Sequence, residues 1–295
     1  VLETLRHKDT HGSSRMLPHP YIFDVEHWNS HYPTVPRLVR CVNFFDMDCT
    51  HGVWRRSMLK AKDPFAYGES VRLFANYMRY AKGKGPLAEA QFRNPVDLAI
   101  LQGALRPHPD IRSLMDRVLR QATNGSDYWT LHPRVEPDMQ QHPMCRTLKV
   151  TNLTDIFNML ERAFPTPPAP LLFLPINRPS LEEDAKIRKN SKGKKKTNWS
   201  ASHNLQVLNH AVAHGLWNGT VRVFELGSSI LNGTKYENTP STIGAMMNFE
   251  FALQSKVFVG TPVSSWSVDV TASRFYRGVK QNKNFQYLPQ GIQPW

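Results

Sequence analysis

Long apolar runs are missing from this 295-residue chain. Nothing in it approaches the ~20 consecutive apolar residues that cross a bilayer. The longest run, around 171–174, suits a buried strand. Cysteine is scarce. Cys41, Cys49 and Cys145 cannot build a disulfide scaffold. Cys41 and Cys49 could close a small loop in an oxidising compartment, with Cys145 free or paired elsewhere. No P-loop, GxSxG elbow or HExxH motif occurs, which removes the commonest nucleotidase, hydrolase and zinc-protease signatures. His203, His210 and His214 fall near one face of a predicted helix, but without that Glu or a nearby cysteine pair they read as solvated or packed histidines. Residues 1–17 are polar, with Arg6, His7, His11 and Arg15, and do not form a signal peptide. The chain reads as a fragment whose targeting segment or membrane anchor would lie upstream.

Acidic residues are also in the minority, 24 against 37 Lys and Arg, for a net charge of +13. Much of that excess is local. Lys186, Arg188, Lys189, Lys192, Lys194, Lys195 and Lys196 crowd one stretch. The stretch has no interleaved aromatics on which bases could stack, so it argues for a solvated loop over 186–197 and against a nucleic-acid partner. Asn-x-Ser/Thr acceptor patterns, in contrast, are in excess of chance, at Asn124, Asn152, Asn198, Asn218 and Asn232. They lean toward the lumen of the secretory pathway.

What is present is a rhythm. Residues 128–132 suit a strand, and 152–164 carry Ile156, Phe157, Leu160 and Ala163 at helical spacing. Residues 171–176 read as a buried strand. A helix capped by Ser200 or Ser202 follows, with Leu205, Leu208, Ala211 and Val212 on one side and Gly215 at its end. Then come a strand over 221–226, a helix over 241–254, a strand over 256–260, and a helix from Ser264 or Ser265 through Tyr276, closed by Gly278. Strand and helix alternate four times, which means parallel strands with crossover helices and ligands at the strands' carboxyl ends. The first half is less regular. Strands are expected at 21–25 and 37–45 and helices at 68–81 and 109–121, the last with Ile111, Leu114, Met115, Val118 and Leu119 as its apolar stripe. Gly83–Lys84–Gly85 mimics a dinucleotide loop but follows a helix, not a strand.

Two constellations sit where such a sheet binds ligands. His132-Pro133-Arg134-Val135-Glu136-Pro137-Asp138-Met139 follows the first strand. Arg134 can present a fixed fork of donors to a diphosphate or a leaving oxygen. A surface cluster of Arg134, Glu136 and Asp138 explains the same spacing. Val259-Gly260-Thr261-Pro262-Val263-Ser264-Ser265-Trp266-Ser267 is strand, tight turn and hydroxyl-rich helix start, a phosphate cradle on the positive end of a helix. Taken alone, its serines are better explained as ordinary helix caps.

Together the two motifs resemble those of the protein O-fucosyltransferase superfamily, plant type. HxRxExDM resembles the family's arginine motif, and 256–278 its last strand, turn and helix. Residues 21–27 (YIFDVEH) resemble its FDVxHF segment, and 105–119 the helix leading to the arginine motif. The resemblance spans about 20–290, in order. It implies an α/β, GT-B-like fold of two Rossmann-like lobes with parallel sheets: a partial N-terminal lobe over 1–110, lacking its first part, and a nucleotide-sugar-binding lobe over 111–295. It implies an inverting transferase that moves fucose, or a related deoxy sugar, from a GDP-sugar to a protein or glycan hydroxyl in the Golgi or endoplasmic reticulum, with no metal. Arg134 would stabilise the leaving diphosphate and Glu136 would orient Arg134. His132, Ser264, Ser265, Trp266 and Asn248 would bind the nucleotide sugar. The chain departs from the family at Pro133, usually Leu, and at Asn248, aligned with an Asp. It also lacks the glycine-rich first strand and loop. Two other readings compete: a non-catalytic glycan- or protein-binding relative, and a metal-dependent transferase using Asp46 and Asp48, an Asp-x-Asp pair after an apolar run.

Overall fold

The computed structural model describes residues 5–8, 14–17, 24, 26–27, 30, 103, 106–137, 139, 151–190, 201–234, 236–237 and 240–295. They divide into two compact units. One takes in the described residues of Val1–Val118, Leu231–Met247 and Ala272–Gly278, the other those of Leu119–Ile230, Asn248–Thr271 and Val279–Trp295. In the first unit, β1 (Leu5–Lys8) and β2 (Ser14–Leu17) pair antiparallel, Leu5 opposite Leu17. Asp24 accepts hydrogen bonds from His27 N at 3.0 Å and Arg112 Nη2 at 3.2 Å. The expected strand at 37–45 and helix at 68–81, with Gly83–Lys84–Gly85, Asp46, Asp48 and the three cysteines, lie outside the described residues.

Helix α1 (Pro109–Thr123) shows why the apolar spacing there works. Pro109 occupies the first helical turn, where its missing N–H costs nothing, and Asp110 faces the positive end of the helix. Ile111, Leu114, Met115 and Val118 are buried, as their 3–4 spacing requires. Asn124 and Gly125, both with positive φ (49° and 75°), turn the chain out of the helix.

The second unit is built on a six-stranded sheet. Its strands are β3 (Tyr128–Leu131), β4 (Leu171–Phe173), β5 (Arg222–Phe224), β6 (Phe258–Gly260), β7 (Asn284–Leu288) and β8 (Gly291–Pro294), in spatial order β5-β4-β3-β6-β7-β8. All neighbours pair parallel except β7 and β8. Between strands run α2 (Leu153–Ala163), α3 (Arg178–Asn190) and α4 (Ala201–His214), then α5 (Pro240–Gln254) and α6 (Ser265–Tyr276). The β3, β4 and β6 residues are all buried, as in a parallel sheet covered on its faces. Trp129, wholly buried, meets Phe164 edge-on at 5.4 Å and Trp217 at 5.5 Å. Leu131, Leu153, Ile156, Leu160, Leu172 and Val259 join the same cluster, each contributing roughly 1.5–3 kcal/mol by leaving water. The chain therefore runs from β3 outward through β4 to β5, then returns to the other side of β3 at β6. That return defines a topological switch point between β3 and β6.

The structure corrects four expectations. The loop expected over 186–197 is helical as far as Asn190, since α3 continues through Lys186, Arg188 and Lys189. Arg178 pairs with Glu182 at i,i+4, 3.7 Å apart, and Glu182 and Lys186 repeat that spacing, which turns a charge run into a helix-supporting pattern. Val212 is not part of the buried stripe of α4 but is 37% exposed; Asn204 is buried in its place, with Ala201, Leu208 and Ala211. Ser202 lies within α4, which begins at Ala201, and Ser200, the other capping candidate, lies outside the described residues. Asn152 is not a surface acceptor: it is buried and caps α2, its Oδ1 accepting from Thr154 N at 3.0 Å. The β7–β8 pair that completes the sheet was not anticipated at all.

Candidate active site

The site forms where β3 and β6 end. His132 is still zipped to the neighbouring strand, its N–H donating to Val259 O at 2.9 Å. The next N–H on that side, that of Arg134, turns to a side chain and not to β6, so the two chains part there. Arg134 is anchored by its backbone, N–H to the Tyr287 hydroxyl at 3.0 Å, with Tyr287 itself wholly buried on β7. Its guanidinium Nη1 donates to Glu136 Oε2 at 2.7 Å. The other Glu136 oxygen accepts from Asn177 N at 3.3 Å, just beyond β4. Glu136 is 5% exposed while a quarter of the Arg134 side chain reaches solvent, and the geometry of the pair is held from three strands. Asn204 steadies the same segment: its Nδ2 donates to Val135 O at 3.4 Å and Thr151 O at 3.0 Å, and its Oδ1 accepts from Leu153 N at 3.0 Å.

The second motif meets the first through a residue outside the expected set. Ser267 Oγ lies 2.7 Å from His132 Nδ1, a hydrogen bond between two buried side chains. The Trp266 ring packs on the His132 ring at 4.3 Å and 45°. Burial, and then the Arg134 charge beside it, lowers the His132 pKa from 6.5 to about 3, so the ring is neutral. Gly260 makes this closeness possible. A Cβ there would sit 2.8 Å from Ser267 Cβ and Oγ and from Phe258 Cε1.

Ser264 is the cap of α6. Its N–H donates to Thr261 O at 3.1 Å, and its Oγ receives the Ser267 N–H at a long 3.5 Å. Ser265 is the first helical residue. The first N–H groups of α6 have no intrahelical acceptor and present a positive end at the carboxyl edge of the sheet. Thr261 is wholly buried, and among the described residues its Oγ1 has no partner. Asn248 lies on α5 beside Phe249, whose ring meets Trp266 edge-on at 5.9 Å. Its Oδ1 is likewise buried without a partner among the described residues.

Beyond β4 and β5, Arg178 Nε donates to Glu225 Oε1 at 2.7 Å and Arg178 Nη1 to Asn209 Oδ1 at 2.6 Å. This second charge pair lies on the same edge of the sheet. In sequence, Arg178 is one more cation ahead of a basic run, so only the fold reveals it. Histidines 210 and 214 stack ring on ring at 4.6 Å, and His203 Nε2 lies 3.1 Å from Thr154 Oγ1. Among the described residues no three His, Cys, Asp or Glu side chains are grouped to hold a metal ion.

No protein-family model and no curated protein matches the sequence. Among solved structures, the chain is similar to the crystal structure of POFUT1 in complex with GDP-fucose, with a TM-score of 0.48 and 13% identity over 97% of this chain and 88% of that one. It is also similar to POFUT1 in complex with GDP, with a TM-score of 0.45 and 11% identity over 94% of this chain and 85% of that one. The similarity spans nearly the full chain at low sequence identity.

Proposed function

We propose that this chain is an inverting glycosyltransferase with two Rossmann-like lobes of the GT-B kind. It moves fucose, or a related deoxy sugar, from a GDP-sugar to a protein or glycan hydroxyl in the lumen of the secretory pathway. The observation that carries the reading is the switch point. Open α/β sheets bind nucleotides in the crevice outside the carboxyl ends of the strands where the winding reverses. Here that crevice is flanked by Arg134 on one side and by the α6 N-terminus on the other, joined through His132, Ser267 and Trp266. The motifs on both flanks are those that resemble the O-fucosyltransferase superfamily.

In this reading the diphosphate sits on the α6 turn, against the backbone N–H groups of Ser265 and Trp266 and the hydroxyl of Ser264. Asn248 contacts the nucleotide. The acceptor hydroxyl oxygen attacks the anomeric carbon from the face opposite the phosphate. The bond from that carbon to the β-phosphate oxygen breaks, its electron pair leaves with GDP, and the acceptor proton passes to solvent or to the departing phosphate. Arg134 stabilises the negative charge that builds on the phosphate oxygen, the part a metal ion plays in other transferases. Glu136 has both oxygens committed, to Arg134 and to Asn177 N, and serves as a positioning residue, not a base.

The test is transfer from GDP-fucose by the full-length protein. Arg134→Ala should lower kcat by about 10²–10³, the loss typical of removing one donor at a developing charge, with the near-UV spectrum of the fold unchanged. An undiminished rate would remove Arg134 from the chemistry. GDP binding without transfer by the natural protein would point to the non-catalytic relative instead.

A further inference from the structure

We propose that Asn124, Asn218 and Asn232 carry N-linked glycans and that Asn152, despite the same acceptor pattern, is barred from doing so. The inference rests on the lumenal reading above. The first three patterns are Asn-Gly-Ser or Asn-Gly-Thr, and all three asparagines are exposed in turns. Asn124 and Asn218 stand in left-handed backbone, φ 49° and 54°, followed by glycines at 75° and 83°, so both amides project from tight turns. Asn152 is the opposite case. It is 5% exposed, and its amide oxygen is used to cap α2. Asn198 lies outside the described residues.

Placement strengthens the case for two of them. Asn124 precedes β3 and Asn218 precedes β5, parallel strands of one sheet. Both turns therefore lie at the strands' amino ends, away from the carboxyl edge that holds Arg134 and the α6 turn. Arg222 Nη2, at the start of β5, donates to Ala122 O in the last turn of α1 at 2.7 Å, joining the segments next to the two turns. Bulky glycans at this edge leave the crevice open. In the transfer itself, the Asn amide nitrogen bonds to the anomeric carbon of a lipid-diphosphate-linked oligosaccharide, the carbon–phosphate-oxygen bond breaks, the lipid diphosphate departs, and the amide loses one proton.

The full-length protein, with its own targeting segments and a C-terminal tag bearing one extra acceptor pattern, is expressed in a eukaryotic host. It is then treated with peptide N-glycosidase in heavy-oxygen water, which marks each formerly occupied Asn as a heavy Asp, and mapped by mass spectrometry. The expected result is label on the tag, Asn124, Asn218 and Asn232, with Asn152 unlabelled, and one band shift lost on gels for each of Asn124→Gln and Asn218→Gln. A labelled tag with bare Asn124 and Asn218, or with occupied Asn152 in the folded product, overturns the proposal and leaves the lumenal reading standing. A bare tag shows that the chain never enters the lumen and overturns both.

Discussion

Arg134 and Glu136 are two residues apart, and each is fixed by a different strand. Arg134 hangs from Tyr287 on β7, and Glu136 is held by the backbone beyond β4. An arginine aimed in this way loses little on reaching its transition-state geometry, because its alternatives have already been removed. Glu136→Gln keeps the shape and one acceptor but loses the charge that holds the guanidinium. It should lower kcat about 10-fold with little change in KM, since the group acts through Arg134. The pH–rate profile separates this role from that of a base. A positioning residue leaves the acidic limb in place in the variant, and disappearance of that limb would make Glu136 the base. His132 makes a second prediction. Its ordinary pKa of 6.5 applies in the unfolded chain and about 3 in the fold. As pH falls below 6.5 the unfolded chain binds the proton first, so stability is full above that value and declines toward pH 3. Between pH 7 and 4.5 the natural protein should lose about 2 kcal/mol more than His132→Gln, measured by urea unfolding. Equal losses would mean that the ring is not held neutral. His132, Arg134 and Glu136 were legible in the sequence because they follow a strand, where a few side chains gather at a cleft. Ser267 and Asn204 were not, because a lone serine or asparagine inside a helix looks like any other.

At the scale of the element, the site depends on how closely α6 approaches the end of β6. Gly260 has no Cβ to keep Ser267 away. Gly260→Ala should destabilise the fold by about 1–3 kcal/mol, as overpacking does, and break the His132–Ser267 bond with it. Thermal unfolding reads the first effect, and loss of GDP affinity beyond that of a surface control reads the second. A variant as stable and as tight-binding as the natural protein would show that the contact gives way easily. The elements that sequence alone revealed share one property: their apolar spacing and their burial agree, as in α1 and α2. Helix α3 failed that test. Its support comes from charges at i,i+4, which in composition look like a solvated run. Strand β7 failed it differently. Asn284, Gln286 and Tyr287 are all buried, at 2%, 3% and 0%, so both faces of the strand are covered and the polar–apolar alternation does not mark a buried side.

Strand order belongs to the whole molecule, and no local pattern encodes it. Alternating strands and helices imply a parallel sheet, but nothing in 256–260 says that this strand returns to the far side of β3 instead of extending past β5. That choice brings a motif at 132–136 against one at 260–267. It is made by the packing of all six strands, with Val257 and Val259 filling the same core as Leu131 and Leu172. Since the crevice is a product of the fold, occupying it should stabilise the fold. GDP at 100 times its Kd adds about 2.7 kcal/mol, a rise in Tm of roughly 4–5 °C for a chain of this size. The nucleoside alone should add much less, because the groups gathered here, a guanidinium and the positive end of α6, recognise phosphate. UDP should fall between GDP and guanosine, keeping the diphosphate contacts and losing the base. Under the proposed function chelator should leave the ladder unchanged, because that proposal has Arg134 meet the charge. Differential scanning fluorimetry with GDP, UDP and guanosine, each with and without EDTA, reads all of these on one plate. A guanosine shift equal to that of GDP would move recognition away from the α6 turn. A GDP shift that collapses with EDTA and returns with Mn²⁺ would bring Asp46 and Asp48 back as the diphosphate's partners.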